Sequence, residues 1–513
     1  MLTMFWAIFL LTLTLYVVYR FLTFGAKYSQ PPGPLRWPFV GHAFTVNTSQ
    51  ARVFAQLAKD FRGLYTLNFF GKRFVVISDA RVIQNVKTSK EITEKLFTHS
   101  PCDFLSKFTL LGRTTPYMEP SEKWMSRRQV LTKKLNIYTG GLQLSESLLK
   151  QEFGQLTAWI ESHKGNSVDL SPVLMASLVN TMTILLLGKR FPYEGPEIKA
   201  VCDVILGAES LSGPRTDGLL QALPCLGRLP VLWGATTKRL KKNLKLVQEY
   251  YYEVPKHDSK AGGTAGLMGL LMKTTEGNNN TGVASEFSED NVMEMVIEVL
   301  TTSVPKMHAA LMSFIWMTLH KPAIALKIQR EVEKVTNSTR LPTLRDRERM
   351  PYTEAVILEL LRFSPNVPFS RHLVIEDTKL EEFQIPSKTT ILTDLSSVNH
   401  DANLWGNPDK FVPERFLDDN GRLLSEHSEP RKNLHSFGIG KRSCIGQAFA
   451  LSRMFLYVAT LLQQFNFRSP EDGPAHQPNG PLLFTGSIAK PAPFLVKLFQ
   501  HPYKVDFYRQ QKS

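Results

Sequence analysis

A glycine-rich loop around a single cysteine constrains this chain of 513 residues more than any other feature. The loop reads FGIGKRSCIG over residues 437–446, with glycines at positions 438, 440 and 446. Glycine allows the backbone to turn tightly and to approach a flat group closely. Cys444 directly precedes a helix-like apolar stretch, Gln447–Leu462. A helix N-terminus and the adjacent cations Lys441 and Arg442 would favour the thiolate form of this cysteine.

Most other cysteine sites fit this loop poorly. A structural zinc ion usually needs four ligands, and the four cysteines of the chain form no CxxC pair. A cysteine protease needs a positioned histidine base, which the sequence does not place beside Cys444. A lone thiolate in a glycine-rich loop is instead what an axial ligand of haem iron requires.

The fixed residues of the loop follow the spacing F-x-x-G-x-R-x-C-x-G, which resembles the cysteine-loop signature of the cytochrome P450 superfamily. The resemblance extends over the whole chain and is greatest with the microsomal members of animals. It implies a mainly α fold with small β-sheets (α+β), built around haem b. It also implies that Cys444 is the metal ligand and that Phe437 and Arg442 bind the cofactor.

Two further motifs match structural parts of the family. Glu359 and Arg362 stand three residues apart in an ELLR sequence, a spacing that allows them to pair on one helix face. Arg415 lies in the later segment FVPERF. By resemblance, these three residues form a buried, bidentate network that fixes the loop carrying the cysteine.

The resemblance also assigns side chains to the haem propionates. Trp124 and Arg128 form a W-x-x-x-R pattern like that of the family's propionate-binding helix. His372 falls where the family carries a propionate-binding arginine or histidine. Arg371 is the rival if the register differs by one residue.

The oxygen-activating helix departs from the family pattern. The family usually has an acid followed by a threonine, which relay protons to dioxygen. Counted back from the HKP sequence at 320–322, these positions hold Pro305 and Lys306. The candidate catalytic residues are therefore Thr302, Ser303 and Lys306, with Glu298 about one turn upstream.

Three interpretations of this departure remain open at the level of sequence. The first is a monooxygenase that inserts one oxygen atom of O2 into a lipophilic substrate and relays protons through Glu298, Thr302 or Ser303, or through water or substrate. The second is an oxygen-independent isomerase or dehydratase of lipid peroxides, whose substrate already contains the O–O bond. The third is a non-catalytic haem-binding protein, a sensor or a carrier.

The amino terminus indicates a membrane anchor. Residues 1–19 carry no charge and nearly reach the roughly 20 residues that span a bilayer. The first cations, Arg20 and Lys27, follow this run and predict a cytosolic body. A cleaved signal peptide would need a basic leader and a shorter apolar core. We therefore expect an anchor over 1–24, a Pro/Gly-rich hinge over 25–42, a haem domain over 43–513, and a single-pass location in the endoplasmic reticulum membrane.

The apolar spacing predicts the main elements of the body. We expect a strand at Arg73–Ile77 and an exposed, mobile loop at Lys256–Glu289. The predicted helices are Leu148–Ile160, Val173–Leu187, Asp290–Leu319 with an interruption at Pro305, Pro351–Phe363 and Ile445–Phe465. Strands are expected over Ile385–Asp394 and Leu482–Leu498.

The formal charge of +15 indicates an anionic partner, which by charge alone could be nucleic acid, an anionic membrane surface or an acidic protein. By resemblance, the partners are a membrane surface and an acidic, NADPH-dependent flavoprotein reductase, with cytochrome b5 as a second electron donor, and not nucleic acid. The candidate docking cations are Lys123, Arg127, Arg128, Lys133 and Lys134. A sterol, a fatty acid or a xenobiotic would fit an apolar pocket. The family places its walls at Cys102–Met118, Asn366–Ser370 and Phe484–Ser487, beside the central helix.

Overall fold

A computed structural model provides the structure of the chain. It describes residues 6, 11–12, 14–16, 18, 30–37, 40–42, 50–98, 115, 118, 121–141, 146–211, 229, 234–259, 266–279, 289–438, 440–470, 483–485 and 488–501. The predicted anchor over 1–24 lies largely outside these residues. Among the described residues, no single helix is long and apolar enough to cross a membrane. Within the described ranges, the bent pair Asp290–His320 and Pro322–Thr336 is the one that satisfies length and composition together.

Helices account for most of the described residues. Their bounds are α1 Gln50–Asp60, α2 Ala80–Thr88, α3 Lys90–Lys95, α4 Glu122–Gly141, α5 Glu146–Ser162, α6 Ser171–Leu187, α7 Pro196–Leu211, α8 Ala235–Gln248, α9 Val254–Ser259, α10 Gly266–Asn279, α11 Glu289–His320, α12 Pro322–Thr336, α13 Pro351–Phe363, α14 Leu395–Asn399, α15 Ala402–Trp405, α16 Glu429–Lys432 and α17 Gln447–Gln464. Short 3-10 turns lie at Leu344–Arg349, Pro413–Phe416 and Gly440–Arg442, and a π-helical turn lies at Glu249–Glu253.

The strands form small sheets at the edges of this helical body. Their bounds are β1 Leu64–Phe69, β2 Lys72–Ile77, β3 Leu96–Thr98, β4 Ser167–Val168, β5 Phe369–Val374, β6 Thr378–Leu380, β7 Phe383–Ile385, β8 Thr390–Asp394, β9 Phe465–Arg468, β10 Leu483–Thr485, β11 Ile488–Lys490 and β12 Val496–Gln500. The largest sheet has the order β1-β2-β8-β5-β3, with a parallel pairing only between β2 and β8. The predicted α+β class is therefore confirmed.

The hydrophobic core surrounds the central helix α11. Helices α6, α13 and α17 pack against α11, as does strand β11. Helix α6 is buried on all sides from Val173 to Leu187, as expected for a helix whose apolar residues are distributed around its circumference. Most residues of α11 are buried as well. Its few accessible side chains therefore mark the places where other elements do not cover the helix.

The Pro-rich hinge is attached to the body where the structure describes it. The hydroxyl of Thr66 in β1 donates to the carbonyl of Pro31 at 2.9 Å, and the Thr66 amide donates to the carbonyl of Pro32 at 2.8 Å. Gly41 adopts a positive φ of 64° and forms a bridge with Phe69. Part of the predicted spacer over 25–42 therefore lies along the edge of the largest sheet.

Two predictions about secondary structure were wrong. Helix α11 continues through Pro305, because the bonding lost at one proline is small beside the packing of a 32-residue buried helix. The predicted loop Lys256–Glu289 contains helix α10, whose Leu267, Met268 and Leu271 are buried in the core. The apolar face of α10 is short, and the Gly- and Asn-rich sequence beside it is typical of a loop, so the sequence pattern did not indicate this helix.

Candidate haem site

The cysteine loop has the tight conformation that its glycines predict. Gly438 and Gly440 have φ values of +80° and +67°, a region that side chains with a Cβ rarely adopt. The amide of Cys444 donates to the carbonyl of Phe437 at 2.8 Å and closes the loop. Helix α17 begins three residues after Cys444. The Cys444 side chain is exposed, so its sulfur is available to a ligand on the open side of the loop.

Trp124 of helix α4 and Arg442 of the cysteine loop together form one wall of the site. The guanidinium of Arg442 lies 3.7 Å from the centroid of the Trp124 ring. Arg442 also donates to the carbonyls of Thr115 and Met118, at 3.3 and 3.2 Å. Burial and, to a smaller extent, the positive charge of Arg128 together lower the pKa of Arg442 to about 9. The indole Nε1–H of Trp124 is buried and lacks a hydrogen-bond acceptor among the described residues.

Arg128 and Arg127 are adjacent in α4 but serve different parts of the structure. The Arg128 Nη2 donates to the carbonyl of Ser443 at 2.6 Å, directly before the cysteine. Arg127 is fully buried and bonds to Asn291 Oδ1 at 2.8 Å and to the carboxylate of Glu294. The prediction that Arg127 belongs to an exposed docking patch was therefore wrong, because it forms a buried ion pair with α11.

His372 lies on β5, close enough to Arg442 of the cysteine loop for the two charges to influence each other. Its Nε2 is 3.1 Å from the Ser370 hydroxyl, and the ring is buried. Burial lowers the pKa of His372 to about 4, and the positive charge of Arg442 contributes to the decrease. Neighbouring residues on a strand point to opposite faces, so Arg371 points away from the face that His372 occupies.

These side chains have the chemistry that haem requires. An accessible sulfur at Cys444 can bind the iron. The Nε1–H of Trp124 lacks an acceptor, and burial lowers the pKa of both Arg128 and Arg442. An anionic carboxylate among these donors would satisfy the indole and stabilise both guanidinium charges. The residues therefore fit a cofactor that carries two propionates and an iron atom.

The hydroxyl groups of α11 bond within the helix. Those of Thr301, Thr302 and Ser303 donate to the carbonyls four residues earlier, at 2.8, 2.7 and 2.6 Å. Such bonds leave the oxygen lone pairs free to accept another donor. Thr302 and Ser303 are partly exposed, and Lys306 is exposed. These three predicted catalytic residues therefore lie on an accessible part of an otherwise buried helix.

Glu298 connects α11 with the wall of the site. Its carboxylate accepts a hydrogen bond from the amide of Thr115 at 2.7 Å, and the Thr115 carbonyl accepts one from Arg442. Burial raises the pKa of Glu298 to about 7 against the opposing influence of these bonds and of Arg127 and Arg128. A carboxyl group with this pKa exchanges protons near neutral pH.

The predicted Glu359–Arg362–Arg415 network is confirmed. Arg362 donates two bonds to the Glu359 carboxylate, at 2.8 and 2.7 Å, and both side chains are fully buried. The Arg415 Nε lies 3.5 Å from the same carboxylate. Arg362 also donates to the carbonyls of Asn399 and Pro408. The network thus ties helix α13 to the segment between α14 and the cysteine loop.

The contacts at Thr115 and Met118 could not be predicted from sequence. Both residues bind Arg442 through backbone carbonyls, which every residue type possesses. Of the proposed pocket walls, Asn366 bonds with its amide group to the Ser313 hydroxyl and the Ala489 carbonyl, at 3.3 and 3.1 Å. Residues 102–114, 116–117 and 486–487 lie outside the described residues.

Comparison with known proteins places these elements in a family. A family model described as Cytochrome P450 matches residues 31–498. The chain is 28% identical to steroid 17-alpha-hydroxylase/17,20 lyase of Mesocricetus auratus, over 91% of each protein. It is 27% identical to vitamin D(3) 25-hydroxylase of Sus scrofa, over 90% of this chain and 91% of the relative. Cytochrome P450 2J5 of Mus musculus is also 27% identical, over 91% and 93%. The matched range contains every side chain of the site.

Proposed function

The chain belongs to the cytochrome P450 family and is an oxidoreductase with haem b as its cofactor. From this premise we propose that it inserts one oxygen atom of O2 into a lipophilic substrate, using electrons that originate from NADPH. The observation that carries the proposal is the convergence of the Cys444 loop with the donors of Trp124, Arg128 and Arg442. A merely structural cysteine loop would have no need of such an anion-binding wall.

Each of these residues would hold a stated part of the cofactor. Cys444 would bind the iron, and Trp124, Arg128, His372 and Arg442 would bind the propionates. By similarity to the family, Phe437 would lie against the ring of the cofactor. When bound, haem supplies the activation of dioxygen, and thiolate ligation favours cleavage of the O–O bond.

Protons would reach the site through Glu298, Thr302 and Ser303. Glu298 can hold a proton near neutral pH because burial raises its pKa to about 7. Thr302 donates its hydroxyl proton to the carbonyl of Glu298, so its oxygen can accept a proton donor such as water. This arrangement would replace the acid and threonine for which the chain has Pro305 and Lys306.

We propose an endoplasmic reticulum location with the haem domain, residues 43–513, in the cytosol. An anchor over 1–24 and a hinge over 25–42 would hold this domain at the membrane. A flavoprotein reductase, with cytochrome b5 as a second donor, would dock near α4. The exposed Lys123 and Lys133 support this site, since cations attract an acidic partner.

A second candidate function follows from Pro305 and Lys306. An isomerase or dehydratase of lipid peroxides receives its O–O bond from the substrate and needs no acid–threonine relay. The absence of that pair at 305–306 therefore favours this alternative specifically.

One pair of assays distinguishes the two functions. The full-length holoprotein is incubated with lipophilic substrates, NADPH and reductase, and separately with a fatty-acid hydroperoxide without NADPH. Substrate-dependent NADPH consumption coupled to an oxygenated product supports the monooxygenase. Rapid rearrangement of the hydroperoxide with no oxygenation under NADPH overturns it in favour of the isomerase. Absence of both over a broad substrate panel overturns both enzymatic proposals and leaves a haem-binding protein.

A further inference from the structure

Lys306 is an unusual residue in the central helix. Between residues 291 and 320, all of which the structure describes, Lys306 is the only exposed residue. Its neighbours Val304, Pro305 and Met307 are buried, as is the following segment 308–315. An exposed residue in the middle of a core helix faces an internal cleft, because the rest of the helix is covered by packing.

The helical spacing of residues along α11 indicates which part of the site this cleft adjoins. In an α-helix, residues four apart lie on neighbouring positions of the same side. Lys306 therefore follows Thr302 and Glu298 along one side of α11. The Glu298 carboxylate accepts a hydrogen bond from the Thr115 amide, and the Thr115 carbonyl accepts one from Arg442 of the cysteine loop. The side of α11 that carries Lys306 is therefore the side that is linked to the cysteine loop through Glu298 and Thr115. The proposed substrate would bind on this side of the helix.

The acidic groups near this side of α11 already have cationic or amide partners. Glu294 pairs with Arg127, and Glu298 accepts the Thr115 amide. Beside β11, Glu209 lies 3.6 Å from Lys490. Within the part of the chain that the structure describes, Lys306 forms no ion pair with a carboxylate. An ammonium group that becomes enclosed without a counter-ion is strongly unfavourable.

We propose that Lys306 binds the carboxylate of an anionic lipophilic substrate, such as a long-chain fatty acid. This inference rests on the proposed function and specifies its substrate class. The substrate would supply the counter-ion that the protein lacks at this position. Its alkyl part would occupy the apolar pocket that a lipophilic substrate requires. Lys306 is then a specificity-determining residue.

Equilibrium binding to the full-length holoprotein tests the proposal. Dodecanoic acid and methyl dodecanoate have the same chain but differ in charge, and each is titrated while the haem absorption is followed. No NADPH or reductase is present, so the result does not depend on turnover. We expect the acid to bind about tenfold more tightly or better, as for a charge-assisted hydrogen bond. Lys306→Gln should abolish this preference, and Lys306→Arg should retain most of it.

A surface lysine provides the matched control. Lys242 lies exposed on α8, and Lys242→Gln makes the same change in net charge and should leave the preference unaltered. The proposal is overturned if the wild type fails to prefer the acid, if neither compound binds, or if Lys306→Gln keeps the wild-type ratio. A preserved preference for the acid without NADPH-dependent turnover would instead reject the monooxygenase function and support the carboxylate site.

Discussion

The guanidinium of Arg442 lies over the indole of Trp124, 3.7 Å from its centroid. This cation–π contact joins the cysteine loop to helix α4, although the two are more than 300 residues apart in sequence. The stack fixes the orientation of the indole, whose Nε1–H is buried without an acceptor among the described residues. The site therefore presents donors that are held in position before the cofactor binds.

Replacing Trp124 with phenylalanine should weaken haem retention. The variant keeps an aromatic ring under Arg442 but removes the Nε1–H donor. Loss of one hydrogen bond to a charged acceptor is worth about 1.5–3 kcal/mol, so haem should dissociate roughly ten- to a hundredfold faster. Transfer of haem to apomyoglobin measures the rate. Trp159→Phe, at a position that stacks on His163 away from the site, serves as control. Equal rates for both variants would contradict the role of Trp124.

His372 and Arg371 should differ in the same measurement. His372 is buried beside Arg442, whereas Arg371 lies on the other face of β5. We expect His372→Phe to accelerate haem loss by about tenfold or more, because a buried donor disappears. Arg371→Leu should change the rate much less. A reversal of this order would assign the propionate contact to Arg371.

Glu359 should stabilise the fold far more than an exposed glutamate in a similar pair. Removing one partner of a buried ion pair costs about 3–5 kcal/mol, and Glu359→Gln leaves Arg362 buried without its counter-ion. Glu414→Gln disrupts an exposed pair with Lys327 and should cost about 0–1 kcal/mol. Thermal unfolding followed by circular dichroism should show a decrease of several degrees for Glu359→Gln only. Equal midpoints for the two variants would refute the network's role.

Glu298 should make stability depend on pH. Its pKa is raised from 4.5 to about 7 in the folded state, so the folded protein binds a proton more tightly than the unfolded chain. The stabilisation that protonated Glu298 contributes is fully present below about pH 4.5. It is lost as the pH rises through 7. Since 1 pKa unit corresponds to about 1.4 kcal/mol, the wild type should lose about 3 kcal/mol relative to Glu298→Gln between pH 5 and 8. Denaturant unfolding of both proteins at several pH values measures this difference. Parallel pH profiles would contradict the buried position of Glu298.

The sequence predicts those parts of the fold that depend on local patterns. The helices α5, α6 and α13 show clear apolar spacing, and the structure confirms them. The loop around Cys444 is recognisable because positive φ values require glycine at fixed positions. Helix α10 was missed because its short apolar face precedes a Gly- and Asn-rich stretch.

Side-chain orientation was harder to predict than secondary structure. Arg127 and Arg128 are adjacent cations, and only their helical rotation decides that one pairs with Glu294 and the other reaches the Ser443 carbonyl. The continuity of α11 through Pro305 depends on packing by distant elements, which local propensity does not contain. The carbonyls of Thr115 and Met118 have no sequence signature.

The central claim is that Cys444 provides a thiolate ligand to haem in the folded protein. The absorption spectrum of the reduced, carbon-monoxide-bound protein tests it most directly, because thiolate ligation shifts the Soret band to the red. The wild type should show the red-shifted band, and Cys444→His should lose it while still binding haem. A wild-type spectrum without the red-shifted band would contradict the claim.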